Sequence, residues 1–113
     1  MRNRKTYVLA LLLSLVALPA LAQSLIGSIS GVIRDEQGGV LPGVTMTLTG
    51  KTGSRTVVTE ADGTYRFPAV DPGTYALTAD LSGFQARKQE NISISIGQKL
   101  NIDFTLKVAG FAT

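Results

Sequence analysis

The sequence has no cysteine, histidine or tryptophan, and each absence removes a class of explanation. Without cysteine there are no disulfides, so a domain of this size must be held by its apolar core alone. Lacking both histidine and cysteine, the chain cannot build the usual zinc sites, Cys–His pairs or Ser-His-Asp triads. Aromatic residues make up only 6% of the chain, which gives each ring weight in the reading. A long apolar run is missing too: the longest, Tyr7 to Leu18, falls short of the roughly 18 residues that span a bilayer.

That run has a different meaning. Arg2, Arg4 and Lys5 precede it, and Ala20-Leu21-Ala22 follows before Gln23, the layout of a secretory signal peptide with an A-x-A cleavage site. Residues 1–22 are expected to form a helical signal peptide cleaved between Ala22 and Gln23. The three basic residues of this leader account for the whole formal charge of +3. The mature chain is therefore balanced, and no basic surface remains to argue for nucleic acid or anionic membrane. It is expected to be exported, to the periplasm, the outer membrane or the cell exterior, and not to span a membrane.

Beyond Gln23 the helical period never appears, while alternation recurs. Apolar residues fall at every second position in Ile29-Gly31-Ile33, Val44-Met46-Leu48, Tyr65-Phe67, Tyr75-Leu77-Ala79, Ile92-Ile94-Ile96 and Leu100-Ile102-Phe104-Leu106. Such runs read as strands with one buried face. With the less regular stretch Arg55 to Glu60, where Val57 and Val58 are adjacent, they make about seven. Turn residues separate them: Pro42-Gly43 and Pro72-Gly73 are placed to reverse the chain, the proline presetting φ and the glycine supplying a positive φ next. The expected fold is an all-β, antiparallel sandwich in one domain.

Chemistry is sparse. Asp35-Glu36 and Glu60 with Asp62 are the nearest approach to acid pairs, and both sit in turns with no segment long enough to wall a cleft between them. Glu60 to Gly63 lacks the ligand series of a calcium loop, and Gly50-Lys51-Thr52 lacks the upstream glycine of a phosphate loop because position 45 is Thr45. Asn91-Ile92-Ser93 is a formal glycosylation acceptor. No catalytic, metal or cofactor residue is assigned. Tyr65, Phe67 and Tyr75 read chiefly as core, with neighbouring strands pairing their rings; the competing reading makes Tyr65 and Tyr75 a stacking surface for carbohydrate.

The run Ile29 to Asp35, the run Leu41 to Leu48, the Asp-Gly-x-Tyr-x-Phe core within Thr59 to Phe67, Val70 to Tyr75, Ser82-Gly83-Phe84 and the closing Gly97 to Leu106 together resemble the carboxypeptidase regulatory-like domain. The resemblance implies a transthyretin-like, Ig-like β-sandwich over residues 23–107, with 108–113 as a tail, and no catalytic residues. Directly behind a leader, such a domain looks like the N-terminal extension of TonB-dependent outer-membrane receptors, in which a plug and a barrel follow. The sequence carries neither, so transport is not implied, and a piece of a longer receptor and a separately exported domain are both open. The expected function is a non-catalytic interaction or structural module of the cell envelope. Its partner would be a protein or an envelope polysaccharide, and Arg55 to Glu60 is the candidate edge for strand pairing.

Overall fold

Each alternating run becomes a strand where turn residues close it, and the strands divide between two sheets. The computed structural model describes residues 26–110, so the expected signal peptide and its Ala22–Gln23 junction lie outside the described residues. Eight strands follow: β1 (Gly27–Asp35), β2 (Thr45–Gly50), β3 (Gly53–Val58), β4 (Thr64–Val70), β5 (Gly73–Asp80), β6 (Arg87–Ile94), β7 (Lys99–Asn101) and β8 (Phe104–Leu106). In one sheet β1 is central, with β4 antiparallel on one side and β7 and β8 pairing with it in parallel. The other sheet runs β3-β2-β5-β6 and is antiparallel throughout.

The all-β sandwich expected from the alternation is the fold the chain forms, and three details differ. First, the closing run is broken into β7 and β8, although both keep one register against β1: Ser28 faces Lys99 and Ile33 faces Phe104. At the break the Asp103 carboxylate takes the place of a strand carbonyl, accepting the Val32 N–H at 2.8 Å. Second, these pairs are parallel, because the chain reaches β7 from the far sheet and enters beside β1 running the same way. Third, β6 ends at Ile94, so Ile96, expected on the buried face, is 65% exposed.

The core lies between the sheets. Ile29, Ile33 and Phe67 from the first sheet meet Met46, Leu48, Leu77 and Ala79 from the second, with Ile92, Ile94, Phe104 and Leu106 closing the cluster. Each large side chain buried there stabilises by roughly 1.5–3 kcal/mol. Val57 is half-buried and packs against this cluster whereas Val58 points outward, which fixes the orientation of β3. Thr59, just beyond β3, is the buried polar residue among those described: its hydroxyl donates to the Leu41 carbonyl at 2.7 Å and accepts the Val44 N–H at 2.9 Å. These bonds tie the end of β3 to the start of β2. Of the two Pro-Gly turns, Gly43 takes the φ of 79° that a type II turn requires, while Gly73 opens β5 at a φ of 157° and carries the chain into the other sheet.

Candidate functional site

Tyr65 and Tyr75 stand on β4 and β5, and those strands belong to different sheets. Consecutive strands were expected to be neighbours; here the chain crosses between sheets at Asp71-Pro72, so the cross-strand pairing of these rings does not form. Tyr65 is buried, meets the Phe67 ring edge-on at 6.0 Å, and its hydroxyl donates to the Ile102 carbonyl. Burial, and secondarily the Asp103 charge, push its pKa well above the ordinary phenol value. Tyr75 is half-buried, donates to the Asp71 carbonyl at 2.7 Å, and lies against Gly50 so closely that a Cβ there would sit 2.6 Å from its ring. The two tyrosines line different pockets, Tyr65 one beside Val57 and Val58 and Tyr75 one beside Leu48 and Arg55.

The carboxylates are occupied with turns. Asp35 Oδ1 accepts the N–H groups of Gln37 and Gly39, both at 2.9 Å. Asp62 Oδ1 accepts from the Thr64 hydroxyl at 2.6 Å and from its N–H at 3.1 Å, bonds that hold the Asp62 carboxyl below its usual range. Both are side chains closing their own loops. Among the described residues no group of three or more acidic side chains gathers as a metal site would need.

The geometry instead draws attention to the seam between β3 and β4, edge strands of opposite sheets. At one end Arg55 reaches across, donating from Nη2 to the Pro68 carbonyl at 2.7 Å and from Nη1 to the Ala69 carbonyl at 3.2 Å, with its guanidinium over the Phe67 ring at 5.8 Å. Toward the other end lies a groove of about 590 Å³, lined by Val57, Val58 and Glu60, by Thr64, Tyr65 and Arg66 of β4, by Ser30, Gly31 and Val32 of β1, and by Asn101 of β7. Val58, at 56% exposed, is its most open apolar surface. The irregular pattern at Arg55 to Glu60 did point to a sheet edge, and β3 is one, ending at Val58. Sequence reasoning missed Arg55 as a clamp, because its acceptors are carbonyls freed by a register shift in β4. It also missed Asp103, which falls on a polar position of the Leu100 to Leu106 alternation and so carried no signal of its own.

Taken together, the chain is a two-sheet β module whose described polar groups serve turns and seams. Among solved structures it is similar to the Bacillus anthracis TIE protein, at 17% identity and a TM-score of 0.62, over 74% of this chain and 16% of that one. A Bacteroides uniformis protein provisionally described as carbohydrate binding shows 22% identity and a TM-score of 0.59, over 71% of this chain and 40% of that one. The pilus 2b backbone protein of group B streptococcus shows 18% identity and a TM-score of 0.56, over 74% and 41% respectively. The chain thus spans less than half the length of each, and the likeness is one of fold. A search of curated proteins found none that matches. The family is nonetheless defined: the chain belongs to the carboxypeptidase regulatory-like domain family, whose profile matches residues 28–107.

Proposed function

We propose that this domain is a non-catalytic interaction module of a bacterial-type cell envelope, exported by its leader, that holds an extended segment of a partner protein along β3. The observation that carries the reading is the groove beside β3: an edge strand has backbone donors and acceptors to offer, and Val58 and Val57 supply an apolar contact next to them. Affinity would come from main-chain pairing and selectivity from what fits against Val32, Arg66 and Val58. The family and the pilus-type neighbour support a binding or structural role in general terms.

Displayed random peptides selected on the purified chain test it. Selected peptides should lose binding to Val58→Asp and to Thr56→Pro, with circular dichroism confirming that both variants fold, and keep binding to Lys88→Gln on the far edge. Peptides indifferent to both β3 changes would refute the reading. Cell fractionation tests the envelope assignment, and an in-frame plug and barrel in the DNA downstream of Thr113 tests the relation to TonB-dependent receptors. Carbohydrate binding draws support from the provisional description of the Bacteroides uniformis neighbour, although Tyr65, which lines the groove beside β3, is buried and Tyr75 lines a different pocket.

A further inference from the structure

Of the four sheet edges, three are unfit to pair with another chain. β4 contains Pro68, which has no N–H, then Ala69 at a φ of 55°, and Arg55 donates to the carbonyls of both. β6 carries Arg87, Lys88 and Glu90, and its register shifts where Asn91 turns to a φ of 58°. β7 and β8 are three residues each, with Ile102 and Asp103 between them. Proline, charge, bulges and brevity are the features that keep sheet edges apart. β3 has none of these. It keeps unbroken register with β2 from Gly53 to Val58, and its charged side chain, Arg55, is held in the seam. Thr59, in line with β3, exchanges backbone bonds with Gly43 and Val44. Antiparallel bonding alternates along a strand, so Gly53, Arg55 and Val57 also address β2, while Ser54, Thr56 and Val58 send their N–H and C=O groups outward. Among the described residues nothing bonds those outward groups.

Two such edges fit each other. Antiparallel pairing about a two-fold axis at Thr56 sets Ser54 against Val58 of the second copy and Thr56 against its counterpart, engaging every outward group on both strands; a shift along the strand leaves some unpaired. The same register, carried past the strand, sets Glu60 against Thr52 of the second copy, next to Lys51, and symmetry repeats the match. Glu60 lines the groove beside Val58, and Lys51 lies exposed on the β2–β3 turn. Among the described residues neither makes an ion pair, so each is a free charge for the other. We infer that β3 pairs with β3 of a second copy of this chain, each copy seating its Lys51–Thr52 turn at the groove end of the other. The inference rests on the reading of β3 as an open edge and adds regulation to it: a self-paired chain has no β3 to offer a partner segment. One six-residue strand and a turn from each copy make an interface small beside the roughly 1,200–2,000 Å² of stable complexes, so the pairing is reversible and concentration-dependent.

Sedimentation velocity on the purified chain, from about 1 μM to about 1 mM, the span in which small interfaces associate, should show monomer giving way to dimer and nothing larger. Thr56→Pro removes the N–H at the axis from both copies and should abolish the dimer, with circular dichroism confirming the fold. The sharpest variants exchange charge. Lys51→Glu and Glu60→Lys should each weaken dimerisation by about tenfold alone, since like charges then meet. An equimolar mixture of the two should dimerise as the parent does, because each copy meets its opposite, and Lys99→Glu on β7 should change nothing. A chain monomeric throughout, a dimer untouched by Thr56→Pro, or a mixture no better than either variant overturns the inference. Peptide selection reads the earlier proposal separately. A chain that dimerises through β3 yet selects no peptide sustains the dimer and refutes the partner-segment reading; a monomer that binds peptides along β3 does the reverse.

Discussion

Tyr65 couples the stability of this domain to alkaline pH. Its phenol is neutral and buried in the folded chain, and burial raises its pKa above the ordinary value of 10.0 that it regains on unfolding. A group whose folded pKa is raised contributes stability fully present below the unfolded pKa and lost as pH climbs above it. Stability should therefore hold up to about pH 9 and fall beyond pH 10, measured as urea midpoints along a pH series. In Tyr65→Phe this part of the alkaline fall should vanish, while the midpoint at neutral pH drops because the Ile102 carbonyl loses its donor. An unchanged alkaline slope in the variant would refute the coupling. Gly31, beside the same ring, is constrained sterically. A Cβ there would stand 2.7 Å from the Ile102 carbonyl carbon and 2.9 Å from Tyr65 Cε1. Much of that obstruction is backbone, so Gly31→Ala should cost at least the roughly 1–3 kcal/mol typical of overpacking, visible as a lowered thermal midpoint.

At the scale of strands, the alternation in the sequence was sufficient where one face is covered. Ile29 to Ile33, Val44 to Leu48 and Leu77 to Ala79 all bury the residues the pattern marks. It failed where pairing decides. Period two says that Tyr65 and Tyr75 each face a core but not that their strands lie in opposite sheets, because that depends on where the chain crosses at Asp71-Pro72. Nor does it give parallel β7 and β8, or the register shifts in β4 and β6. Those shifts coincide with the two non-glycine residues at positive φ among the described residues, Ala69 at 55° and Asn91 at 58°. Asparagine tolerates that conformation, whereas alanine pays about 1–2 kcal/mol for it. Glycine would relieve the strain and lose roughly 0.5–1 kcal/mol in chain entropy, so Ala69→Gly should stabilise modestly, by up to about 1 kcal/mol. Asn91→Gly should change little and Asn91→Ala should destabilise; a calorimetric series on the three variants gives the order.

Over the whole molecule the same device appears at both open sides. A two-sheet sandwich leaves four edge strands, and exposed edges invite pairing with other chains. Here an arginine from each edge of the β3-β2-β5-β6 sheet crosses to the other sheet and covers an aromatic ring there: Arg55 over Phe67 with bonds to Pro68 and Ala69, Arg87 over Phe104 beside Thr105. Arg55 has the shorter bonds, so Arg55→Ala should cost about 1–2 kcal/mol, and Arg87→Ala, on a longer contact, should cost less. Arg55→Lys should recover little, since an ammonium cannot reach two adjacent carbonyls from above a ring. Because β3 and β6 are separated by two intervening strands, roughly 14 Å at the usual strand spacing, the two losses should add. A double-mutant cycle on urea midpoints should give a coupling below about 0.5 kcal/mol. Coupling well above that would mean that the seams open together through the shared core, and the arginines would then hold the sheets in register rather than close separate seams.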